Sequence, residues 1–94
     1  MTLRNKPDIH QCAGLVGEQW VFLFDNGLGV SAVTAYLSAG LGCMYEAMVV
    51  RNLGDGDFAP LPQPWEQEWL RTDAELDAFV DQVRARPPHQ EVPA

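Results

Sequence analysis

The chain has few basic residues and an excess of acidic ones. Its 94 residues contain six Lys and Arg against 13 Asp and Glu, so the net charge is −7. Nucleic-acid binding needs a basic surface against the phosphate backbone, and this balance therefore disfavours direct contact with DNA or RNA. Lys6, the one lysine, follows no glycine-rich loop, which excludes a P-loop for nucleoside triphosphates.

Histidine and cysteine are also scarce, with two of each. Nucleophilic catalysis needs a nucleophile beside a base and an orienting acid, and His89 lies close to the C-terminus. His10 and Cys12 would share one face of a strand. Even with Cys43 they supply three ligands at most, whereas structural zinc requires four. We therefore expect a protein that is not an enzyme, with no catalytic residue, no metal and no cofactor.

Long apolar runs are absent as well. No run approaches the roughly 20 residues of a membrane span, and the first residues lack the apolar segment of a secretory signal. We expect a cytoplasmic protein with reduced cysteines and no membrane partner. An apolar fraction of 47% is typical of a folded domain. We place a single small domain at residues 1–86 and a disordered, proline-rich tail at residues 87–94.

What the sequence does contain is a clear hairpin pattern. Two apolar, β-favouring runs meet at Asn26-Gly27, the residue pair that most favours a two-residue type I′ turn with positive φ at both positions. In that register Phe24 faces Gly29, and its ring lies across the glycine. One face of the hairpin then carries Val21, Leu23, Leu28, Val30 and Ala32, and the other carries Trp20, Phe22, Phe24, Ser31 and Val33.

The apolar pattern predicts three strands, at residues 18–25, 28–37 and 43–52. In the third strand, one face carries Tyr45, Ala47 and Val49. Residues 9–16 form either a short edge strand or one helical turn, and their glycines favour the strand. Consecutive antiparallel strands of this kind predict a meander.

The segment after the third strand is rich in turn residues. Residues 55–57, Asp-Gly-Asp, predict a tight turn, after which Leu61 returns the chain to the core. The turn is not a calcium loop, because Pro64 stands where such a loop needs its glutamate. Residues 64–70 predict one or two helical turns with Trp65, Trp69 and Leu70 along one side.

The C-terminal part predicts one helix. Thr72 is a candidate N-cap, and Glu75 completes a capping box three residues later. Apolar residues then recur with helical spacing at Leu76, Phe79, Val80 and Val83. This stripe needs a sheet face to cover it. We predict an α+β fold: a three- to four-stranded antiparallel meander with one C-terminal helix packed on a sheet face.

Acidic residues concentrate between residues 54 and 81, where eight acids stand against Arg71 alone. This segment either attracts a basic protein surface or only keeps a small domain soluble. Trp65 and Trp69 either anchor such a contact or close one end of the core. The candidate partner-binding residues are Asp55, Asp57, Trp65, Glu66, Glu68, Trp69, Asp73 and Asp77.

The hairpin segment at residues 22–33, Phe-Leu-Phe-Asp-Asn-Gly-Leu-Gly-Val-Ser-Ala-Val, resembles a pattern of small uncharacterised phage and prophage accessory proteins. Residues 45–49 are similar to the Tyr-Glu-x-Ala-Val that follows in that family. Residues 70–76 resemble the opening of its helix with one residue inserted, whereas Leu28 replaces the usual aromatic. The resemblance covers about two-thirds of the chain, and the shared residues are mostly turn and core residues. It implies a viral or mobile-element accessory protein and transfers no catalytic or binding residue.

Two functions fit these features. The first is a non-enzymatic, anti-CRISPR-like protein that binds a host protein or ribonucleoprotein complex with a basic surface and inhibits nucleic-acid handling or defence. The alternative is a homo-oligomeric structural or assembly protein of a phage, such as a homodimer, because a sheet that is apolar on both faces leaves a surface to cover. A third role, sequestering a nucleotide signal, needs a cationic pocket, and Arg51, Arg71 and Arg84 are too dispersed to provide one.

Overall fold

The computed structural model describes residues 3–12, 17–34 and 44–90. Their elements are β1 Ile9–Cys12, β2 Glu18–Leu23, β3 Leu28–Thr34, β4 Tyr45–Gly54, β5 Asp57–Pro60, β6 Gln67–Leu70 and α1 Asp73–Arg84. Strands β1 to β5 follow one another across a single antiparallel sheet, and β6 also pairs with β4. The α+β class, the antiparallel sheet and the C-terminal helix are confirmed. The predicted number of three to four strands is too low, because the described residues form six.

Two short strands on the same side of β4 account for most of the difference. β5 pairs with the end of β4, where Val50 faces Pro60, and β6 pairs with its beginning, where Tyr45 faces Leu70. The backbone N–H of Val49 donates to the carbonyl of Glu66 at 3.0 Å. Residues 61–65 therefore form a loop that leaves β4 after β5 and returns to β4 just before β6. The prediction of helical turns over 64–70 is wrong because the long strand β4 offers backbone groups that this segment satisfies by pairing.

The hairpin between β2 and β3 forms at the predicted place with a different turn. The Phe24 N–H donates to the Leu28 carbonyl at 2.9 Å, so the loop has three residues, 25–27. Gly27 has a φ of 85°, whereas Asn26 does not have a positive φ. This is the three-residue hairpin loop closed by a glycine in the left-handed region, and the type I′ prediction for this position is wrong.

The longer loop shifts the register by one residue and changes every predicted cross-strand pair. Leu23, and not Phe24, faces Gly29. A Cβ at Gly29 would lie 2.6 Å from the carbonyl oxygen of Phe22 and 2.9 Å from the Leu23 side chain. The glycine is therefore required by close approach of its partner strand and is not covered by the Phe24 ring. By this register one face carries Trp20, Phe22, Phe24, Leu28, Val30 and Ala32.

A turn with positive φ at two successive residues occurs instead between β4 and β5. Asp55 and Gly56 have φ angles of 53° and 82°, and Gly54 faces Asp57 across the turn. A two-residue loop with positive φ at both positions is the geometry predicted for Asn26-Gly27. The tight turn predicted at residues 55–57 is thus confirmed.

The core lies between α1 and one face of the sheet. The helix packs on β3, β4 and β6, and its four predicted stripe residues are buried. Thr72 Oγ1 accepts the Glu75 N–H at 3.1 Å, as predicted for the cap. Leu61 packs against the core from the loop, also as predicted. The buried core residues are Phe22, Phe24, Leu28, Val30, Ala32, Tyr45, Ala47, Val49, Leu70, Leu76, Phe79, Val80 and Val83.

Asn26 connects the first hairpin to the end of the helix. Its side-chain Nδ2 donates to the carbonyl oxygens of Val83, Arg84 and Arg86 at 2.9, 3.3 and 3.1 Å. Its Oδ1 accepts the Leu28 N–H at 3.0 Å. The last carbonyls of a helix have no partner within the helix, so this asparagine acts as a C-terminal cap supplied from the sheet.

Residues 87–90, the described part of the predicted tail, lie against the same hairpin loop. The His89 N–H donates to the Asn26 carbonyl at 2.7 Å. The His89 Cβ lies 3.6 Å from where a Cβ on Gly27 would be. The predicted positions 13–16, 35–37 and 91–94, together with Cys43, lie outside the described residues.

Candidate partner-binding edge

The sheet edge beyond β4 gathers most of the predicted partner-binding residues. β5, the loop 61–66 and β6 follow β4 along its ten residues, a distance of roughly 30 Å. We call residues 55–70 the acidic edge, because they contain four acids and no Lys, Arg or His. It carries six of the eight predicted residues: Asp55, Asp57, Trp65, Glu66, Glu68 and Trp69.

Among the described residues, the two tryptophans of the acidic edge are the large aromatic side chains that are exposed to solvent. Trp65 is 49% exposed in the loop, and Trp69 is 41% exposed on β6. Strand alternation places Trp69 opposite Glu46, on the face away from α1, while Leu70 enters the core. Neither indole therefore belongs to the core, and the predicted common side for Trp65, Trp69 and Leu70 is wrong.

Glu66 is held by the end of the helix. Its two carboxylate oxygens accept from the Arg86 guanidinium at 2.8 and 2.5 Å. Hydrogen bonding from Arg86 lowers the pKa of Glu66 below its ordinary value. A two-point pair of this kind fixes the relative orientation of the two side chains and neutralises the Glu66 charge. Glu66 therefore holds the edge against the segment that follows α1 and adds little to the negative charge that the edge presents. Among the described residues, the acids of the edge that form no salt bridge are Asp55, Asp57 and Glu68.

Asp77 is buried on α1 and binds the N-terminal segment. Its carboxylate accepts the backbone N–H groups of Arg4 and Asn5 at 2.8 and 3.0 Å and the Asn5 side chain at 2.9 Å. Burial raises the pKa of Asp77, but these hydrogen bonds together lower it below its ordinary value. Arg4 also pairs with Asp81 through its guanidinium. The segment 3–8 is thereby attached to the helix.

Asp73 is also buried and lies apart from the acidic edge. It accepts the Tyr45 hydroxyl at 2.5 Å. Burial, and then this hydrogen bond, raise the pKa of Tyr45, so the hydroxyl remains a donor. Because Asp73 and Asp77 are used within the chain, they are not part of the surface that the edge presents.

Glu46 is a member of this surface that the sequence pattern did not indicate. It faces Trp69 across the β4–β6 pair, and its Oε1 accepts from the Gln67 side chain at 3.2 Å. Its place next to Trp69 depends on β6 being a strand. With residues 64–70 interpreted as helical turns, the sequence offered no register that joins these two positions.

Two open clefts lie elsewhere on the molecule. The larger, about 600 Å³, is lined by Lys6 and Arg84 together with Asp8 and Asp25. The smaller, about 450 Å³, is lined by aromatic residues and by the Tyr45–Asp73 pair. Neither of these two clefts is lined by a residue of the acidic edge.

Within residues 3–12, 17–34 and 44–90, no three His, Cys, Asp or Glu side chains are grouped as metal ligands. In that part of the chain, no helix has the length and apolar character that a membrane span needs.

Comparison with known proteins gives no relative to transfer a role from. No family model matches the chain, and no curated protein and no solved structure matches it. The functional assignment therefore depends on the geometry and chemistry of the acidic edge.

Proposed function

We propose that this chain is a non-enzymatic accessory protein that uses its acidic edge to bind a basic surface of a host protein or ribonucleoprotein complex. By occupying that surface it inhibits nucleic-acid handling or defence, as anti-CRISPR proteins do. The observation that carries the proposal is the exposure of Trp65 and Trp69 on the same sheet edge as Asp55, Asp57 and Glu68. The phage-like hairpin pattern supports a host complex as the partner.

Aromatic exposure gives the edge a source of binding energy. Covering the exposed half of each indole contributes on the order of 2–3 kcal/mol, and aromatic residues dominate protein interfaces for this reason. The core does not use these rings, so their positions are free to serve a contact. Acids beside them add charge complementarity to a basic partner and exclude acidic ones.

Side chains, and not backbone pairing, carry the contact. The acidic edge contains three prolines, Pro60, Pro62 and Pro64, which lack a backbone N–H. Residues 61–65 interrupt the edge between β5 and β6. Prolines and short strands are devices that prevent strand addition at a sheet edge. The partner therefore meets indole rings and carboxylates rather than a new β-ladder.

Occlusion is the mechanism that follows from this geometry. Acids at the β4–β5 turn and on β6 are separated by much of the length of β4, so they meet basic residues spread along a channel. A channel that normally holds a phosphate backbone has basic residues spaced in this way. Binding would then compete with nucleic acid and would weaken as salt screens the charges.

The test is a binding assay against purified nuclease ribonucleoprotein complexes with and without their nucleic acid. Charge reversal by Glu68→Lys is compared with Asp25→Lys, which makes the same charge change in the exposed β2–β3 loop. We expect Glu68→Lys to weaken binding about tenfold or more and to reduce its salt dependence, with Asp25→Lys close to the parent. Equal effects of the two reversals, or binding that nucleic acid does not compete with, would contradict the proposal.

The tryptophans need a separate comparison. Trp65→Gln and Trp69→Gln are each compared with Leu53→Gln, since Leu53 is 54% exposed near the end of β4. We expect both tryptophan variants to lose binding and the leucine variant to retain it. Equal loss in all three variants would mean that general surface polarity, and not these indoles, controls the contact.

A homo-oligomeric assembly protein is the second candidate. The observation in its favour is that Met44, Leu53, Trp65 and Trp69 are all exposed, and a symmetric dimer covers such side chains. Sedimentation at high protein concentration separates the two functions. A monomer that binds a basic complex supports the inhibitor, whereas a dimer that Trp69→Gln dissociates supports the assembly protein.

A further inference from the structure

Trp69 of the acidic edge and Glu46 of β4 form a cross-strand pair. They face each other directly in the β4–β6 register, and cross-strand neighbours have Cβ atoms about 4.5–5.5 Å apart. Trp69 is 41% exposed, and Glu46 is half-buried beside its cross-strand neighbour Val33. An indole face and a carboxylate are therefore presented together at one point of the surface.

We propose that Trp69 and Glu46 form a receptor for one arginine side chain of the partner. This inference rests on the proposed function, because it names the chemical group of the basic surface that the edge recognises. A guanidinium is planar, so it stacks on the indole while its N–H groups point toward the carboxylate. A lysine ammonium has no plane to stack and no second parallel donor, so the pair discriminates between the two cations.

The chain uses the same chemistry for its own arginines. The Arg84 guanidinium lies 5.0 Å from the centre of the Phe24 ring and donates to Asp81 at 3.3 Å. Among the described residues this is the one cation–π contact. Trp69 and Glu46 thus repeat an aromatic and acid combination that elsewhere binds a guanidinium, on a surface that faces solvent.

Glu46 is better suited to this role than the other acids of the surface. Glu66 is neutralised by Arg86, and Glu68 projects to the face opposite to that of Trp69. Glu46 has one carboxylate oxygen bonded to Gln67, which orients the group. Partial burial also lowers the local dielectric constant and strengthens an ion pair compared with a fully exposed carboxylate.

The test uses N-acetyl-arginine methylamide as the probe and the full chain as the receptor. Titration is followed by the NMR signals of the three tryptophan indole N–H groups, with Trp69→Phe identifying the Trp69 signal. We expect the Trp69 signal to move with an affinity on the order of millimolar. The corresponding lysine and citrulline probes should bind at least about fivefold more weakly, because one lacks the plane and the other lacks the charge.

Glu46→Gln is the decisive variant, and Asp25→Asn, which removes one negative charge from the exposed β2–β3 loop, is its matched control. We expect Glu46→Gln to weaken arginine binding about fivefold or more and Asp25→Asn to leave it unchanged. Thermal unfolding of both variants checks that the fold is kept. Equal shifts with arginine and lysine, or an unchanged affinity in Glu46→Gln, would overturn the receptor.

Failure of the receptor and failure of the proposed function give different results. If the arginine probe binds but no basic complex does, the receptor stands and the proposed function fails. If a basic complex binds, is displaced by nucleic acid and is indifferent to Glu46→Gln, the proposed function stands and the receptor is refuted.

Discussion

Asn26→Asp replaces one amide by a carboxylate of the same shape and tests what the hairpin loop does. Turn chemistry alone predicts little effect, because Asp-Gly ranks beside Asn-Gly as a type I′ turn. The structure predicts a large effect. Aspartate keeps the oxygen that accepts the Leu28 N–H, but it loses the Nδ2 donor to the carbonyls of Val83, Arg84 and Arg86. It also places a negative charge at the negative end of the helix dipole.

The magnitude follows from the bonds that are lost. An amide with two N–H donors shared among three carbonyls contributes about 1–3 kcal/mol, at 0.5–1.5 kcal/mol for each donor. Repulsion between the carboxylate and the helix end adds roughly 0.3–1 kcal/mol. We expect Asn26→Asp to lower the free energy of unfolding by about 2–3 kcal/mol, or the melting temperature by roughly 10–20 °C. Asn26→Ala adds no charge but also loses the oxygen that accepts the Leu28 N–H, so it should cost about as much as Asn26→Asp.

Urea unfolding followed by tryptophan fluorescence measures these changes at pH 7. Asp55→Asn is the reciprocal control, because Asp55 lies at a φ of 53° and asparagine accepts that region readily. We expect Asp55→Asn to be neutral within about 0.5 kcal/mol. If Asn26→Asp is as stable as the parent chain, the side-chain cap makes no net contribution and the reasoning is refuted.

Three further substitutions test the packing and the buried acids. Gly29→Ala should destabilise the fold by about 3 kcal/mol in urea unfolding, because its Cβ would lie 2.6 Å from a backbone carbonyl oxygen of β2. A variant as stable as the parent would mean that the two strands move apart at little cost in free energy. Asp77→Asn should weaken the fold at pH 7 by about 1–2 kcal/mol. Because hydrogen bonds lower the pKa of Asp77 below its ordinary 3.8, its contribution is complete above that pH and is lost as the pH falls through the folded-state value. Parent and Asp77→Asn should therefore converge in stability on acidification, and a constant difference down to pH 2 would contradict this. Tyr45→Phe leaves the buried Asp73 without its hydroxyl donor and should cost about 1–3 kcal/mol at pH 7. An unchanged melting temperature for Tyr45→Phe would show that solvent replaces the donor.

Local pattern was sufficient for the elements whose partners lie nearby in the chain. The helix is defined by its cap at Thr72 and by a stripe that repeats with its own period, so its start and its buried face required no knowledge of the sheet. The faces of β4 followed from strand alternation in the same way. Both depend on interactions within a few residues.

Only part of the candidate surface could be predicted from local sequence pattern. The concentration of acids and the two tryptophans were visible in the sequence, and six of the eight predicted residues do share one edge. Burial of Asp73 and Asp77 was not visible, because their partners Tyr45, Arg4 and Asn5 are far away along the chain. The place of Glu46 beside Trp69 also required the register of two distant strands.

The sequence by itself determined that the chain forms a small α+β domain, with strands separated by turns and one capped helix. Tertiary structure decided how Asn26 and residues 64–70 are used. Asn26 does not adopt the positive φ of a type I′ turn, because its side chain donates to carbonyls at the end of α1 that have no partner within the helix. Residues 67–70 become a strand because the unpaired edge of β4 needs backbone partners, and that pairing turns Trp69 outward. In both places backbone groups without a local partner outweighed local preference, because a buried polar group left unpaired costs more free energy than a turn or helix propensity supplies.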